Sequence, residues 1–443
     1  MIYYIDPVNG SDELDGSSPE RARKSYLTLD VKPGDSILFK RGSFIRDCLY
    51  CVEGAPGAYV SYGAYGEGAN PVFCGSADVS DPDDWVEVSP NVWEYKKELS
   101  TEVCNFIFDN GRIGATLRWD EDKLVAPGDW YDSRIGMGDH SAEPVAQRVL
   151  LYSVGNPGKV RSHIECVLYG KRCLVQNKSY TAFSDLCFYG SGVHGLSGGA
   201  HHVRVERCSF LFIGGAVWNR GLRIRFGNAI EFWNIGDDIL IEDCYFNNIY
   251  DSCITQQGGE NTTPAHRLVM RRNLLVDYGM AAYEGRDRML VDCEFSDNIC
   301  LYAGGGFAAF GDTIPRNSEI YPQPMGHHLF IWRITAPSDG GSFTVKNNIF
   351  CEATGAAIYS IIDDGANAQL KLSGNKYYTT NRELLCRFGD RSYSADELGS
   401  MGDEGAVFEK PDIDSLIGDW FGRSHAGRGE GLAKLFTDGT ARI

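Results

Sequence analysis

The sequence predicts an all-β chain of the solenoid class, a β-helix. Short apolar strands recur along it, each ahead of an Asn or Cys position, at the spacing of about 20–50 residues that marks a solenoid. With 52 Gly and 12% aromatic residues, the composition fits many short strands joined by tight turns. The i, i+3, i+4, i+7 pattern of helical repeats is absent.

Two columns of residues define the repeat. The first column is separated by 22 to 50 residues and consists of Leu186, Cys208, Cys244, Asn273, Asn298, Asn348 and Asn375. We expect its amides to bridge neighbouring coils and its Cys residues to be buried free thiols. The second column is expected to point inward ten residues later; it contains Leu196, Ile254, Tyr283, Ala308 and Ile358, with Ile230 following an insertion at about 215–226.

The net charge and the cysteine content limit which class of ligand and which cellular compartment are expected. The net charge of −18 argues against nucleic acid and favours a neutral or weakly charged glycan. The 14 Cys show no zinc-type spacing, so buried thiols of a reducing compartment are favoured over secreted disulfides. No signal peptide or bilayer-spanning stretch is evident, which predicts a cytoplasmic protein, or a secreted one whose signal was removed.

The first 75 residues contain V-K-P-G-D-S-I-L-F-K-R-G and Y-V-S-Y-G-A-Y-G. This opening resembles the first coils of right-handed parallel β-helix carbohydrate-active enzymes of the pectate-lyase-like superfold, most of all the β-helix glycoside hydrolases. The resemblance implies an N-terminal cap and first coils over 1–75. It leaves the reaction open, since lyases, hydrolases, epimerases and phage tailspikes share such an opening.

Three further segments are predicted. Residues 76–150 break the repeat and hold four Trp residues, which indicates an inserted antiparallel β module. The resemblance places such a module beside a substrate cleft, so that Trp119 either stacks on sugar or fills the module's own core. Central coils occupy 151–380 with a long loop at 311–341. A partly helical C-terminal cap is expected over 381–443. Its helical segments are predicted to be N-R-E-L-L-C-R-F and S-A-D-E-L-G-S-M, and the segments D-S-L-I-G-D-W-F-G and G-L-A-K-L-F follow them.

The candidate chemistry lies on the outer face of the central coils. Glu231 follows inward Ile230 directly and should point outward, with Thr255 and Glu284 in equivalent places on the next two coils. The segments I-E-F-W and Y-D-S-C-I-T-Q-Q resemble stretches of β-helix glycoside hydrolases, which implies Glu231, Asp251 and Glu284 as candidate catalytic acids. Candidate substrate contacts are His194, Trp233, Gln256, Gln257, Tyr283, Arg286, His327, His328 and Trp119.

No metal site or cofactor is predicted. The acidic pairs Asp237–Asp238 and Asp363–Asp364 fall at turns, and the repeat brings no further acid beside them, so turn formation explains them better than calcium. The pair His327–His328 lacks the partners of a zinc site. No glycine-rich phosphate loop opens a helix.

Three function classes remain, and each has a carbohydrate as its ligand, with a homo-oligomer possible. The first is a glycoside hydrolase that uses paired carboxylates. The second is a polysaccharide lyase or uronate epimerase, and the third a non-catalytic glycan-binding β-helix. For a hydrolase, Glu231 and Glu284 two coils apart favour inversion, whereas Asp251 as a nucleophile would give retention.

Overall fold

The computed structural model describes residues 1–111, 115–137, 147–170, 172–259, 263–310, 326–332, 341–361 and 369–424. Over these ranges the chain is a right-handed parallel β-helix, as the repeat and the resemblance predict. Each central coil contributes one strand to each of three long sheets, A, B and C, so sequential strands stack on their equivalents from the next coil. In the described chain no helix is long and apolar enough to cross a bilayer.

The strands of each sheet follow in stacking order. Sheet A contains Ile2–Ile5, Ser36–Lys40, Val60–Tyr65, Thr181–Ser184, Val203–Glu206, Ile239–Glu242, Leu268–Arg271, Cys293–Ser296, Phe343–Lys346 and Leu370–Ser373. Sheet B contains Phe44–Ile45, Val72–Cys74, Cys187–Tyr189, Ser209–Ile213, Tyr245–Ile249, Leu274–Tyr278, Ile299–Ala303, Ile349–Ala353, Lys376–Tyr378 and Val407–Phe408. Sheet C contains Cys173–Gln176, His194–Ser197, Ile230–Trp233, Ser252–Gln257, Ala281–Arg286, His327–Trp332, Ile358–Ile361, Cys386–Phe388 and Arg391–Tyr393.

The predicted asparagine ladder is confirmed at the turn between sheets A and B. The backbone N–H of Asn273 donates to Asn298 Oδ1 at 2.9 Å, and that of Asn298 donates to Asn348 Oδ1 at 3.0 Å. Cys244 continues the line, because its N–H donates to Asn273 Oδ1 at 2.9 Å. The buried turn groups of each coil are therefore paired by the side chain of the next coil.

The interior of the solenoid is apolar and rich in aromatic side chains. Phe188, Phe210 and Phe246 stack on successive coils, with ring centroids 5.1 and 5.0 Å apart. All 14 cysteines are free thiols, and Cys208, Cys244 and Cys253 are buried, as predicted. Because the strands of neighbouring coils pair in parallel register, equivalent Phe side chains lie one above the other and their rings pack together.

The inserted module consists of two further sheets. One joins Thr116–Leu117, Asp129–Asp132, Val149–Tyr152, Val92–Tyr95 and Trp85–Ser89, mainly antiparallel, and the other joins Ser76–Asp78, Ile164–Leu168 and Val103–Phe108. Trp119 is buried in the core between them, together with Trp85 and Trp130. Of the two alternatives for Trp119, the structure favours the structural one, because its ring packs inside the module rather than on a cleft.

The shorter elements connect these sheets. Two paired segments outside them are the hairpin Ala216–Asn219 with Ile224–Phe226, and the short pair Ala265–His266 with Leu290–Val291. In the described ranges the helices are Pro157–Val160 and Ile413–Arg423, and the 3-10 turns are Pro19–Arg21, Pro82–Asp84, Asp109–Gly111, Glu121–Lys123, Gly306–Ala309 and Ala395–Ser400.

The region expected to be one long loop contains a strand. His327–Trp332 forms the sixth strand of sheet C, pairing with Ala281–Arg286 and with Ile358–Ile361. Leu329, rather than Ala308, therefore follows Tyr283 in the inward column, and Ala308 lies in a 3-10 turn. The apolar run H-L-F-I-W is the physical reason, since it buries one face on each neighbouring coil. Residues 311–325 and 333–340 lie outside the described residues.

The C-terminal region is partly helical, but its helix is not where the sequence suggests. The segment around Cys386–Phe388, expected to be helical, is a strand of sheet C, whereas S-A-D-E-L-G-S forms a 3-10 turn. The helix Ile413–Arg423 begins at its N-cap Asp412, which accepts from Ser415 N–H. It packs on the outer face of sheet B through Trp420, whose Nε1 donates to Arg272 O at 2.8 Å. The segment G-L-A-K-L-F lies outside the described residues.

Candidate functional site

The outer face of sheet C presents the predicted acidic column. Glu231 pairs in register with Thr255, and Thr255 with Glu284, so the expected equivalence of these three positions is confirmed. One step further, Phe330 occupies the same place. The column lies beneath a groove on the flank of the solenoid. Its members differ in whether their side chains line that groove or are buried away from it.

Glu231 lies at the floor of the groove and is held by neutral donors. Its Oε1 accepts from Ser197 Oγ at 2.9 Å, and its Oε2 accepts from Asn228 Nδ2 at 3.1 Å. Ser197 is on the preceding coil, so the β-helix register itself positions this donor. With both oxygens accepting, the carboxyl group is oriented while 7% of the residue remains exposed.

His194 completes the surroundings of Glu231. Its Nδ1 accepts from the backbone N–H of Asn228 at 3.1 Å, which leaves the ring proton on Nε2, 3.6 Å from Glu231 Oε1. Burial lowers the pKa of His194, and nearby Arg172 lowers it further, against the opposing effect of Glu231. The imidazole is therefore neutral near pH 7, and a neutral N–H faces the Glu231 carboxyl group.

The groove has a volume of 1090 Å³ and is bounded by aromatic, charged and polar side chains. Asp251 lines it on the coil after Glu231, next to the backbone of Gly227, to which its N–H donates. Trp218 and Trp233 line it as well and are 57% and 41% exposed. Exposed indole faces beside two carboxyl groups are suited to bind a sugar ring by stacking on its C–H face.

Glu284 does not line this groove. It is fully buried, and its Oε1 accepts from Trp332 Nε1 at 2.9 Å. Its Oε2 accepts from Thr255 Oγ1 at 3.1 Å and from Ser252 Oγ at 3.3 Å. The strand that supplies Trp332 is the one expected to be loop, which explains why this cover was not foreseen.

The remaining predicted contacts divide into two groups. Gln257 and Arg286 line the groove, where Arg286 donates to Gln257 Oε1 and lies over the Trp332 ring. The others are buried away from it: Gln256 with Tyr283, His328 beside Tyr278, and His327 against Tyr359. Burial lowers the pKa of His328 to about 3.

Several groove residues escaped the sequence-based prediction. Asn228 and Ser197 hold Glu231 but look like ordinary turn and strand residues in the sequence. Trp218 lies on the hairpin inserted at 215–226, and an exposed Trp on an insertion was the available signal. Arg172 and Lys178, from the coil before His194, also line the groove.

The acidic pair at the turn after Trp233 forms ion pairs. Asp238 Oδ1 contacts Arg267 Nε at 2.5 Å, and Asp237 Oδ1 contacts His266 Nδ1 at 3.2 Å. Among the residues that the structure describes, no group of three or more His, Cys, Asp or Glu side chains is arranged to hold a metal ion. Asp363–Asp364 lies outside the described residues.

Comparison with known proteins returned matches among solved structures alone; neither the family models nor the curated proteins gave a match. A structure described as a glycoside hydrolase matches with a TM-score of 0.44 and 9% identity, over 95% of this chain and 98% of that one. A complex of XylC with xylose matches with 0.41 and 14%, over 88% and 70%. A rhamnogalacturonan lyase matches with 0.38 and 11%, over 85% and 75%.

Proposed function

We propose that the protein is a carbohydrate-active enzyme, a glycoside hydrolase whose catalytic carboxyl groups are Glu231 and Asp251. The observation that carries the proposal is the groove itself, in which these two acids and the exposed indoles of Trp218 and Trp233 line one cavity. Glycosidic bond hydrolysis needs two carboxyl groups, one on each side of the scissile bond. Indole faces supply the binding of the sugar rings.

The surroundings of Glu231 support its role as the base. Both of its oxygens accept hydrogen bonds from Ser197 and Asn228, an arrangement that an ionised carboxylate satisfies fully. Asp251 then serves as the acid. Glu231 removes a proton from the attacking water, the water oxygen bonds to the anomeric carbon, and Asp251 donates its proton to the departing glycosidic oxygen.

The separation of the two acids favours inversion. Asp251 is opposite Gly227 on the neighbouring coil, four residues before Glu231, so at ~3.3 Å per residue along the strand and ~4.8 Å between strands their backbones are roughly 14 Å apart at most. Side chains that converge from this distance leave room for water between them. Inverting enzymes hold their carboxyl groups about 6.5–9.5 Å apart, against about 5–5.5 Å in retaining enzymes.

The test compares Glu231→Gln, Asp251→Asn and the control Glu206→Gln on a panel of aryl glycosides and oligosaccharides. Glu206 lies on the outer face of sheet A, far from the groove in the coil, and its variant should keep wild-type turnover. Each groove variant should lose about 10²–10⁴-fold in kcat. NMR of the first product should show the inverted anomer.

Three outcomes would contradict this function. Near wild-type turnover in both groove variants would remove the assigned roles. Release of an unsaturated uronate, detected by its ultraviolet absorbance, would indicate β-elimination and hence a lyase, and binding without cleavage of any glycan would indicate a lectin-like protein.

A further inference from the structure

Among the residues that the structure describes, the charge of the groove lining is opposite in sign to that of the chain as a whole. The sequence carries 60 acidic and 42 basic residues, whereas the described part of the groove lining has three basic side chains and two acidic ones. The basic ones are Arg172, Lys178 and Arg286. Because the protein's overall field repels anions, a local excess of cations has to be built by particular residues.

Two of these cations are not neutralised by the protein. Arg286 has Asp287 Oδ2 at 3.3 Å from its Nε and a hydrogen bond to Gln257. Arg172 and Lys178 have no acidic side chain within ion-pairing distance anywhere in the described ranges. Elsewhere on the solenoid, acids of neighbouring coils pair with Arg207, Arg267 and Arg271.

The two free cations flank one end of the groove. Arg172 immediately precedes the strand Cys173–Gln176 and Lys178 follows it by two residues, so their backbones are up to roughly 20 Å apart at ~3.3 Å per residue. Cys173 pairs with His194, whose strand adjoins that of Glu231. The cations are thus two strand spacings, roughly 10 Å, from the catalytic strand along the solenoid axis. That distance places them at a neighbouring sugar-binding subsite.

Electrostatic effects on nearby groups support this placement. Arg172 acts on the pKa of His194 and of the Cys173 thiol, and Glu231 acts on both as well. Lys178 acts on the Cys51 thiol, which also lines the groove. Both cations therefore direct their charge into the cavity that contains Glu231.

We infer that the substrate is a glycan with anionic substituents, carboxylates or sulfate esters, which bind Arg172 and Lys178. This inference rests on the proposed function for the identity of the site, and it names the class of substrate. A guanidinium and an ammonium group held in a partly enclosed groove form charge-assisted hydrogen bonds with such groups. A neutral glycan leaves both cations without a partner.

The experiment measures binding, so that it is independent of turnover. Calorimetry with full-length Glu231→Gln protein uses oligosaccharides from pectin, alginate and chondroitin sulfate, each beside its carboxyl-reduced or desulfated neutral counterpart. At least one anionic oligosaccharide should bind roughly tenfold or more tightly than its neutral counterpart, and this preference should shrink in about 1 M salt, where the Debye length falls to about 3 Å.

Variants identify the cations responsible. Arg172→Gln and Lys178→Met should each weaken binding of the anionic member about tenfold and leave the neutral member unchanged. Lys159→Met, an exposed lysine outside the groove, is the matched control and should change neither. Equal affinity for the two members of every pair, or an equal loss for both in each variant, would overturn the inference.

The two proposals fail separately. If the anionic preference is found but Glu231→Gln retains turnover, hydrolysis through Glu231 is wrong and the substrate class stands. If cleavage through Glu231 is found but neutral glycans bind as tightly as anionic ones, the function stands and the substrate class is wrong.

Discussion

Replacing Asn298 by Ala should destabilise the solenoid more than the removal of a few side-chain atoms would suggest. Asn298 Oδ1 accepts from the backbone N–H of Asn273 at 2.9 Å and from its Nδ2 at 3.0 Å, in a fully buried turn. The substitution leaves two buried donor hydrogens without a partner, and each costs about 1–3 kcal/mol. We therefore expect a loss of roughly 2–6 kcal/mol in the free energy of unfolding.

The cysteines of the same column supply an internal comparison. Cys244 Sγ donates to Val205 O at 3.4 Å, much as Asn298 Nδ2 donates to Met270 O at 3.0 Å. Asn298→Cys keeps such a donor and should cost about 1 kcal/mol less than Asn298→Ala. The exposed Asn381 provides the control, since Asn381→Ala should change stability by no more than about 0.5 kcal/mol.

Urea unfolding followed by circular dichroism and by tryptophan fluorescence measures these differences, with the slope checked for each variant. Because a solenoid need not unfold in one step, the two signals are compared before a free energy is assigned. The view that paired amides hold the ladder would be refuted if Asn298→Ala lowered the free energy of unfolding by less than about 1 kcal/mol, an effect comparable to that of the exposed Asn381→Ala.

Three further predictions concern acid stability, sugar binding and thiols. The pKa of His328 is about 6.5 in the unfolded chain and about 3 in the folded one, so the free energy of unfolding should fall as the pH drops below about 6.5, by on the order of 4 kcal/mol at pH 3. His328→Asn should reduce the dependence of the urea midpoint on pH. The same pH dependence in wild type and variant would contradict the prediction. Trp218→Ala and Trp233→Ala should each weaken oligosaccharide binding roughly 2–12-fold in fluorescence titrations, while exposed Ile235→Ala should not. Thiol titration without reductant should find at most three reactive thiols in native protein and fourteen after denaturation, because only Cys48, Cys51 and Cys173 are half-buried and the other eleven are buried. These three line the groove, so bound glycan should protect them. Fewer than fourteen thiols after denaturation would indicate disulfides.

The sequence predicts what the stacking of coils determines. Asn273, Asn298 and Asn348 form one line because a β-helix repeats its turn, and Glu231 and Glu284 share a register for the same reason. Whether a given register position is open to solvent depends on what crosses over it. Trp332 covers Glu284, and the repeat pattern of the sequence does not predict this contact.

Insertions account for most of the differences. The 50-residue spacing from Asn298 to Asn348 contains a strand of its own, so counting ten residues from Asn298 reached Ala308 instead of Leu329. Trp218 lines the groove from another insertion, whereas Trp119 belongs to a module with a separate core. Local patterns report burial well, but they do not report which of two cores a tryptophan joins.

The C-terminal helix Ile413–Arg423 adds contacts between distant parts of the chain to a solenoid that is otherwise stabilised by contacts between neighbouring coils. Trp420 Nε1 and Ser424 Oγ donate to the carbonyls of Arg272 and Asp243, which belong to coils some 150 to 180 residues earlier. In a simple solenoid each coil touches only its neighbours, so the ends fray independently of the middle. Here the helix Ile413–Arg423 and Ser424 bind across two central coils, and these contacts form only after the helix has left the ribosome. During synthesis the central coils must therefore persist without them, and their own ladders have to keep the nascent solenoid folded until the helix docks.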